Sequence, residues 1–287
     1  MSNFNLTISP SQIEFVLKPG TTITQAYEIT NNSFDRSIVV NTEVLPWYPQ
    51  GNDGSVNYQN IISHPNIFFS LSNSNIKLNK SFTLAPRESK QLVLQIKTDS
   101  NAELSDAYYT FFVYQDQNTT KSTTSLTQTS GKIGSHILLS LSKTAYQPVK
   151  ADIKKFFVTP KIKDVFFSPL TFDGEVQNNT NYFFKTIGKI TVTKNNKNIK
   201  ELELNPNNVL AHHYRRFSCS DQETCTIRPP FWPGKYTATI SFDPDFNIKP
   251  AETSFYVLPI SPILFLLFLI GCFFGYKFIK NKINSKS

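Results

Sequence analysis

Gln91-Leu-Val-Leu-Gln-Ile-Lys97 alternates polar and apolar residues with a period of two. That is the pattern of a β-strand with one face in a core and the other in water. Working outward from it, strand signals recur at 6–9, 13–17, 23–30, 38–45, 67–71, 108–115 and 137–142, with turn formers such as Pro19-Gly20 and Asn31-Asn32 between them. No segment of helical period competes. Composition agrees: 25 Phe and 12 Tyr stand against a single Met, and aromatic residues favour the pleated, half-buried surface of a sheet. Short strands punctuated by turns predict an immunoglobulin-like β-sandwich.

The second half repeats the first. Strand signals resume at 153–159 and continue at 174–178, 187–193, 236–242 and 254–257. Glu28-Ile-Thr-Asn-Asn-Ser33 matches Glu175-Val-Gln-Asn-Asn-Thr180, each reading as a strand that ends in an Asn-Asn turn, where Asn tolerates left-handed backbone angles. Asp106-Ala-Tyr-Tyr-Thr-Phe-Phe-Val113 matches Pro233-Gly-Lys-Tyr-Thr-Ala-Thr-Ile240, which makes Tyr108 or Tyr109 and Tyr236 candidate tyrosine corners. A chain of 287 residues is long enough for two such domains, each with its own core. The expected fold class is therefore all-β: a sandwich over 1–147 and a second over 148–257, with the boundary near Tyr146-Gln-Pro-Val149. The Ser/Thr-rich segment 117–132 has too little apolar surface to pack and is expected to be a mobile hairpin loop.

Residues 253–276 carry no charge, and Ile263-Leu-Phe-Leu-Leu-Phe-Leu-Ile270 has no polar relief. The length suits a transmembrane helix, expected over 258–279 with Pro262 in its first turn, followed by a basic tail at 280–287. Gly271 and Gly275 form a G-x-x-x-G, a weak signal for helix pairing. Residues 1–147 hold ten basic and ten acidic residues, 148–252 fifteen and eleven, and the last 35 four and none, so half of the net +8 sits in the tail. Lys277, Lys280, Lys282 and Lys286 are better explained by membrane topology than by nucleic acid, which is not expected as a partner. The positive-inside rule puts the C-terminus in the cytoplasm and the sandwiches outside. Met1-Ser-Asn-Phe-Asn-Leu-Thr-Ile shows no basic segment followed by an apolar one for export. The expectation is a truncated start; the alternative is a tail-anchored protein with cytosolic domains.

Cys219 and Cys225 enclose a polar five-residue turn and are a candidate disulfide. His212-His213 nearby raises zinc as an alternative, but the usual C-x-x-C pairs are missing and no metal is expected. Cys272 falls within the apolar span. Asp243-Pro-Asp-Phe-Asn247 imitates the start of a calcium loop, yet Ile248 stands where the loop needs Gly, so a solvated turn is expected. There is no G-x-S-x-G, no H-E-x-x-H and no phosphate-cradling glycine loop. The expectation is a protein without catalysis or cofactor. In Phe68-Phe69, Phe111-Phe112 and Phe183-Phe184 one ring of each pair should face a core. Trp47 and Tyr48 open the irregular stretch 49–64 and are nominated as an exposed recognition surface.

Ile8-Ser-Pro-Ser-Gln-Ile-Glu-Phe-Val-Leu-Lys-Pro-Gly20, Tyr27-Glu-Ile-Thr-Asn-Asn-Ser33 and Leu84-Ala-Pro-Arg-Glu-Ser-Lys-Gln-Leu-Val-Leu94 resemble the N-terminal domain of bacterial WxL-interacting cell-surface proteins. That family is similar in plan, with two immunoglobulin-like domains outside the cell, one transmembrane helix and a short basic tail. The resemblance implies adhesion or scaffolding, with peptidoglycan or a surface protein as partner. The Ser/Thr-rich loop and the cysteine pair depart from it. Periplasmic pilus chaperones are also paired sandwiches, which makes an extracytoplasmic chaperone or assembly factor the alternative. Major-sperm-protein domains begin similarly, with Ile8-Ser-Pro and Leu84-Ala-Pro, but carry one sandwich and a coiled coil.

Overall fold

The computed structural model describes residues 5–58, 64–73, 75–115, 131–145, 147–166, 169–220, 224–228 and 232–284. The chain divides into two compact units, Met1–Pro148 with Thr180–Phe183, and Val149–Asn179 with Phe184–Ser287. Each is an immunoglobulin-like β-sandwich, and one apolar helix follows the second. The Ser/Thr-rich loop expected at 117–132 lies mostly outside the described residues.

The first unit contains β1 (Leu6–Ser9), β2 (Gln12–Leu17), β3 (Thr22–Asn31), β4 (Ile38–Pro46), β5 (Tyr48–Gln50), β6 (Ser55–Asn57), β7 (Ile67–Leu71), β8 (Phe82–Leu84), β9 (Ser89–Thr98), β10 (Asp106–Gln115) and β11 (Lys132–Leu141). One sheet runs β1-β3-β9-β7 and the other β2-β11-β10-β4-β8. The alternation that opened the sequence reading is the core face of β9: Leu92, Leu94 and Ile96 are buried completely. They meet Phe111 and Val113 of β10 and Ile137 and Leu139 of β11 in a single apolar cluster, each large side chain contributing about 1.5–3 kcal/mol by leaving water. The first strand changes sheets at the cis Ser9–Pro10 bond, so that β1 pairs with β3 while β2 runs parallel to β11. The stretch 49–64, expected to be irregular, instead begins with a small hairpin of β5 and β6.

The second unit repeats this plan with β12 (Ala151–Thr159), β13 (Ile162–Asp164), β14 (Leu170–Asn178), β15 (Phe184–Lys185), β16 (Gly188–Lys194), β17 (Lys197–Glu203), β18 (Asn208–Val209), β19 (Tyr214–Arg216), β20 (Cys225–Ile227), β21 (Gly234–Phe242) and β22 (Ala251–Leu258). Its sheets are β12-β14-β19, with β20 also on β14, and β13-β22-β21-β16-β17. Again the first strand switches at a cis bond, Thr159–Pro160, and its second part, β13, runs parallel to the last strand, β22. The β16–β17 hairpin turns on Asn195 and Asn196, both left-handed at φ 49° and 62°, as a two-residue hairpin turn of mirror-image type requires. The helix α1 (Ile260–Asn284) is the one described helix long and apolar enough to cross a membrane.

The Asn repeat is real, but its physical basis differs from the expectation. Neither Asn31 and Asn32 nor Asn178 and Asn179 adopts a left-handed conformation. Asn31 and Asn178 are instead completely buried, and their side-chain amides donate to backbone carbonyls of neighbouring segments. Asn31 Nδ2 donates to the carbonyls of Arg36 (2.8 Å), Ala85 (2.9 Å) and Leu84 (3.3 Å), while its Oδ1 accepts from Ser33 N–H. Asn178 Nδ2 donates to the Val209 carbonyl at 3.0 Å. The next residue in each repeat plays one backbone role: Asn32 N–H donates to Asn5 O and Asn179 N–H to Lys150 O.

Candidate functional site

The side chains of β10 alternate between two environments. Ala107, Tyr109, Phe111 and Val113 are buried in the first core, while Tyr108, Thr110, Phe112 and Tyr114 line the opposite face of the same sheet. On that face Trp47 stacks on Tyr108 with ring centroids 5.0 Å apart and meets the edge of His136 at 5.3 Å. Thr110 Oγ1 lies 2.9 Å from His136 Nδ1 and 3.0 Å from the Tyr58 hydroxyl. Burial holds the pKa of His136 below the usual histidine value. Gly134 makes this packing possible, because a methyl group there would collide with Thr110 Cγ2 and the Phe112 ring.

The recognition surface nominated from sequence is therefore split. Trp47 is only 6% exposed and donates its Nε1–H to the Tyr109 carbonyl at 2.8 Å, so it covers the sheet and does not project from it. Of that pair only Tyr48 is exposed. Cys219 and Cys225 are joined as a disulfide with Cα atoms 4.9 Å apart, which takes both thiolates out of the zinc alternative. Tyr236 has the geometry of a tyrosine corner, its hydroxyl donating 2.8 Å to the Trp232 carbonyl four residues upstream. Its partners in the first unit do not: Tyr108 donates to the Asp106 carboxylate, and the Tyr109 hydroxyl accepts from His64 N–H. Asp243 caps the short turn Pro244–Phe246 by accepting from Asp245 N–H.

A feature that sequence reading missed lies along β11. Its pairing with β10 runs from Lys132 to Ser140, but its pairing with β2 begins only at His136. Among the described residues, no strand pairs with 132–135 on that second side. His136 N–H donates toward β2, to Ser11 O at 3.0 Å. Alternate residues of a strand present their N–H and C=O to the same edge, so Gly134 and Lys132 present theirs to the side that β2 does not cover. β10 gives the same answer independently. Tyr108 O accepts from Trp47 N–H on the β4 side, which turns Phe111 and Val113 toward β11 and makes Ser135 and Ile133 the ladder-bonded partners. Lys132 lies at the start of this open edge, paired with Glu43 at 2.5 Å and 4.5 Å from the Tyr114 ring centroid.

No family model matches the chain, and no curated protein matches it. Among solved structures it is similar to the class 5 fimbriae chaperone CfaA, at 12% identity and a TM-score of 0.43 over 89% of this chain and 100% of that one. It is also similar to the structure of Salmonella enterica SafA pilin with the SafB chaperone (12% identity, TM-score 0.41, 88% of this chain and 97% of that one). A third likeness is to the Escherichia coli chaperone DraB (14% identity, TM-score 0.38, 88% and 97%). These likenesses give no support to a WxL-interacting identity.

Proposed function

We propose that this chain is a non-catalytic, membrane-anchored binding protein that takes up an extended segment of a partner polypeptide by strand addition along 132–135 of β11, as an assembly factor would. The observation that carries this reading is that, among the described residues, no strand pairs with Lys132 and Gly134 on the side where β2 begins at His136. An added strand draws affinity from main-chain hydrogen bonds and specificity from alternate side chains. Its outer-face residues would lie beside Lys132 and Phe112, and Tyr48 extends the aromatic surface available to a partner. The glycan strand of a wall polymer, the partner implied by the resemblance to WxL-interacting proteins, offers no repeating N–H and C=O ladder to this edge. With the apolar part of α1 as a transmembrane anchor and the lysines from Lys277 onward on the cytoplasmic side, both sandwiches would be extracytoplasmic.

The test uses the full chain in lipid nanodiscs with two probes, a short peptide of alternating apolar and polar residues and a soluble muropeptide. The expected result is peptide binding that is lost on backbone N-methylation of the peptide and on Lys132→Pro, which removes an outward donor at the first residue of a strand, where Pro is tolerated. Muropeptide binding indifferent to Lys132→Pro, with no peptide binding, would overturn the reading in favour of a wall-polymer partner. Digestion of both sandwiches by protease added outside intact cells would support the topology, and their protection would contradict it.

A further inference from the structure

The chain leaves β22 at Leu258 and enters α1 at Ile260, with Pro259 alone between them. At 1.5 Å per residue, Ile260–Lys277 covers about 27 Å, close to the ~30 Å hydrocarbon thickness of a bilayer. No spacer therefore separates the second sandwich from the lipid. The junction is also fixed by side-chain hydrogen bonds. The Asp164 carboxylate, at the end of β13, accepts from Ser261 N–H at 2.6 Å and from Ser261 Oγ–H at 2.8 Å, capping the first turn of α1. The same carboxylate accepts from Phe166 N–H at 2.9 Å.

The side chains around this junction are apolar and aromatic, and exposed. Ile162 pairs with Tyr256 and Asp164 with Leu258 in the β13–β22 ladder, so all four share one face. Ile162, Phe166, Tyr256 and Leu258 are between 41% and 59% exposed. Lys235 extends the row beyond Tyr256. Gly234 stands opposite Val257 in the β21–β22 ladder, and continuing that register places Trp232 opposite Pro259, at the start of the helix. Trp232 is 82% exposed, although its carbonyl is held by the Tyr236 hydroxyl and the neighbouring Pro233 carbonyl by Lys194 Nζ at 2.8 Å.

We propose that this end of the second sandwich is seated in the headgroup layer of the bilayer that α1 crosses, through Phe166, Trp232 and Leu258, with Ile162 and Tyr256 just outside it. The occupant of the surface is lipid, and the inference rests on α1 being a transmembrane helix. The composition fits. Trp and Tyr are enriched at the membrane–water interface, where an apolar ring body and a polar tip are both satisfied, and Lys235 can reach lipid phosphate. The dimensions fit for the residues next to the helix: at about 3.3 Å per strand residue, a headgroup layer of roughly 6 Å per leaflet extends two residues beyond Ile260 and reaches Leu258, with Tyr256 and Ile162 two residues further out.

The experiment reconstitutes the full chain and its Trp232→Phe variant in phosphatidylethanolamine and phosphatidylglycerol vesicles, with or without bromine on the upper acyl chains. Because the chain has two tryptophans, Trp47 and Trp232, the difference between the two proteins reports Trp232 alone. The expected result is loss of the Trp232 emission in brominated lipid and its protection from aqueous acrylamide. An environment-sensitive label at Phe166→Cys, in a Cys272→Ser background, should shift to the blue in vesicles. Emission of Trp232 that ignores bromine and is quenched by acrylamide, in protein that resists alkaline carbonate, would overturn the proposal while leaving the anchor intact. Protein that carbonate releases would overturn the transmembrane reading, and this inference with it.

Discussion

The last strands of the two sandwiches, β11 and β22, are built alike and finish differently. Each pairs in parallel with the second part of a first strand that has switched sheets, and among the described residues each leaves its opening residues unpaired on that side, 132–135 in β11 and 251–255 in β22. In β11 that stretch is Lys132, whose charge is paired with Glu43, followed by Ile133, Gly134 and Ser135, beside the aromatic face of β10. In β22 it includes Glu252, whose carboxylate accepts from Thr239 Oγ1, and it runs on into the membrane helix. A charged side chain on an edge discourages pairing with another chain. The same contrast holds at β17, the outer strand of the second unit, where Lys197, Lys200, Glu201 and Glu203 are exposed along the edge. One plan thus yields a sandwich whose last strand runs on into the anchor and a sandwich whose last strand begins with a stretch that no described strand pairs on one side.

The largest effect expected from this difference is on pH dependence, and it belongs to the first unit. Asp106 is buried, and its carboxylate accepts from Ser140 Oγ at 2.5 Å, Tyr108 Oη at 2.6 Å and Phe183 N–H at 2.6 Å. Burial pushes its pKa up to about 6, against those three donors. The native state then holds a proton to higher pH than the unfolded chain does. The stability contributed by that proton is present in full below about pH 4 and is lost as pH rises through 6, to the extent of about 3 kcal/mol. Urea unfolding should show this component in the wild type and not in Asp106→Asn. His64 and His136, both with pKa lowered by burial, act in the opposite sense but in both proteins, so the difference isolates Asp106.

The buried amides sharpen the comparison. Asn31→Ala leaves the carbonyls of Arg36, Leu84 and Ala85 without their shared donor and should cost about 2–3 kcal/mol in urea unfolding. A cost below about 1 kcal/mol would show that the amide does not hold this corner together. Replacing both Cys219 and Cys225 by Ser opens a loop of sequence separation 6 and should cost about 2 kcal/mol. The loss should appear in hydrogen exchange of the second unit alone.

Much of the fold was legible because its central strands alternate. Residues 67–71 coincide with β7, and 91–97 lie inside β9. β17 was missed because both faces of Lys-Asn-Ile-Lys-Glu-Leu-Glu are largely in water, which leaves no period to read. The strands β15 and β18 have two residues each, too few for a pattern. The Asn repeat was visible as a match, but a buried amide and a left-handed turn call for the same residue, so its role had to come from its partners. Trp47 was misplaced because the face that buries it belongs to β10 and β11, more than sixty residues later in the chain. The open edge was illegible for a related reason: it exists only as the offset between where two distant strands begin to pair.

That offset is also the most direct point of test. Residue-resolved amide hydrogen exchange on the full chain in nanodiscs should find Lys132 and Gly134 exchanging fast and Ile133 and Ser135 protected, with all four protected once an alternating peptide is bound. Slow exchange at Lys132 and Gly134 in the protein alone would mean that the edge is already occupied, and would contradict the account.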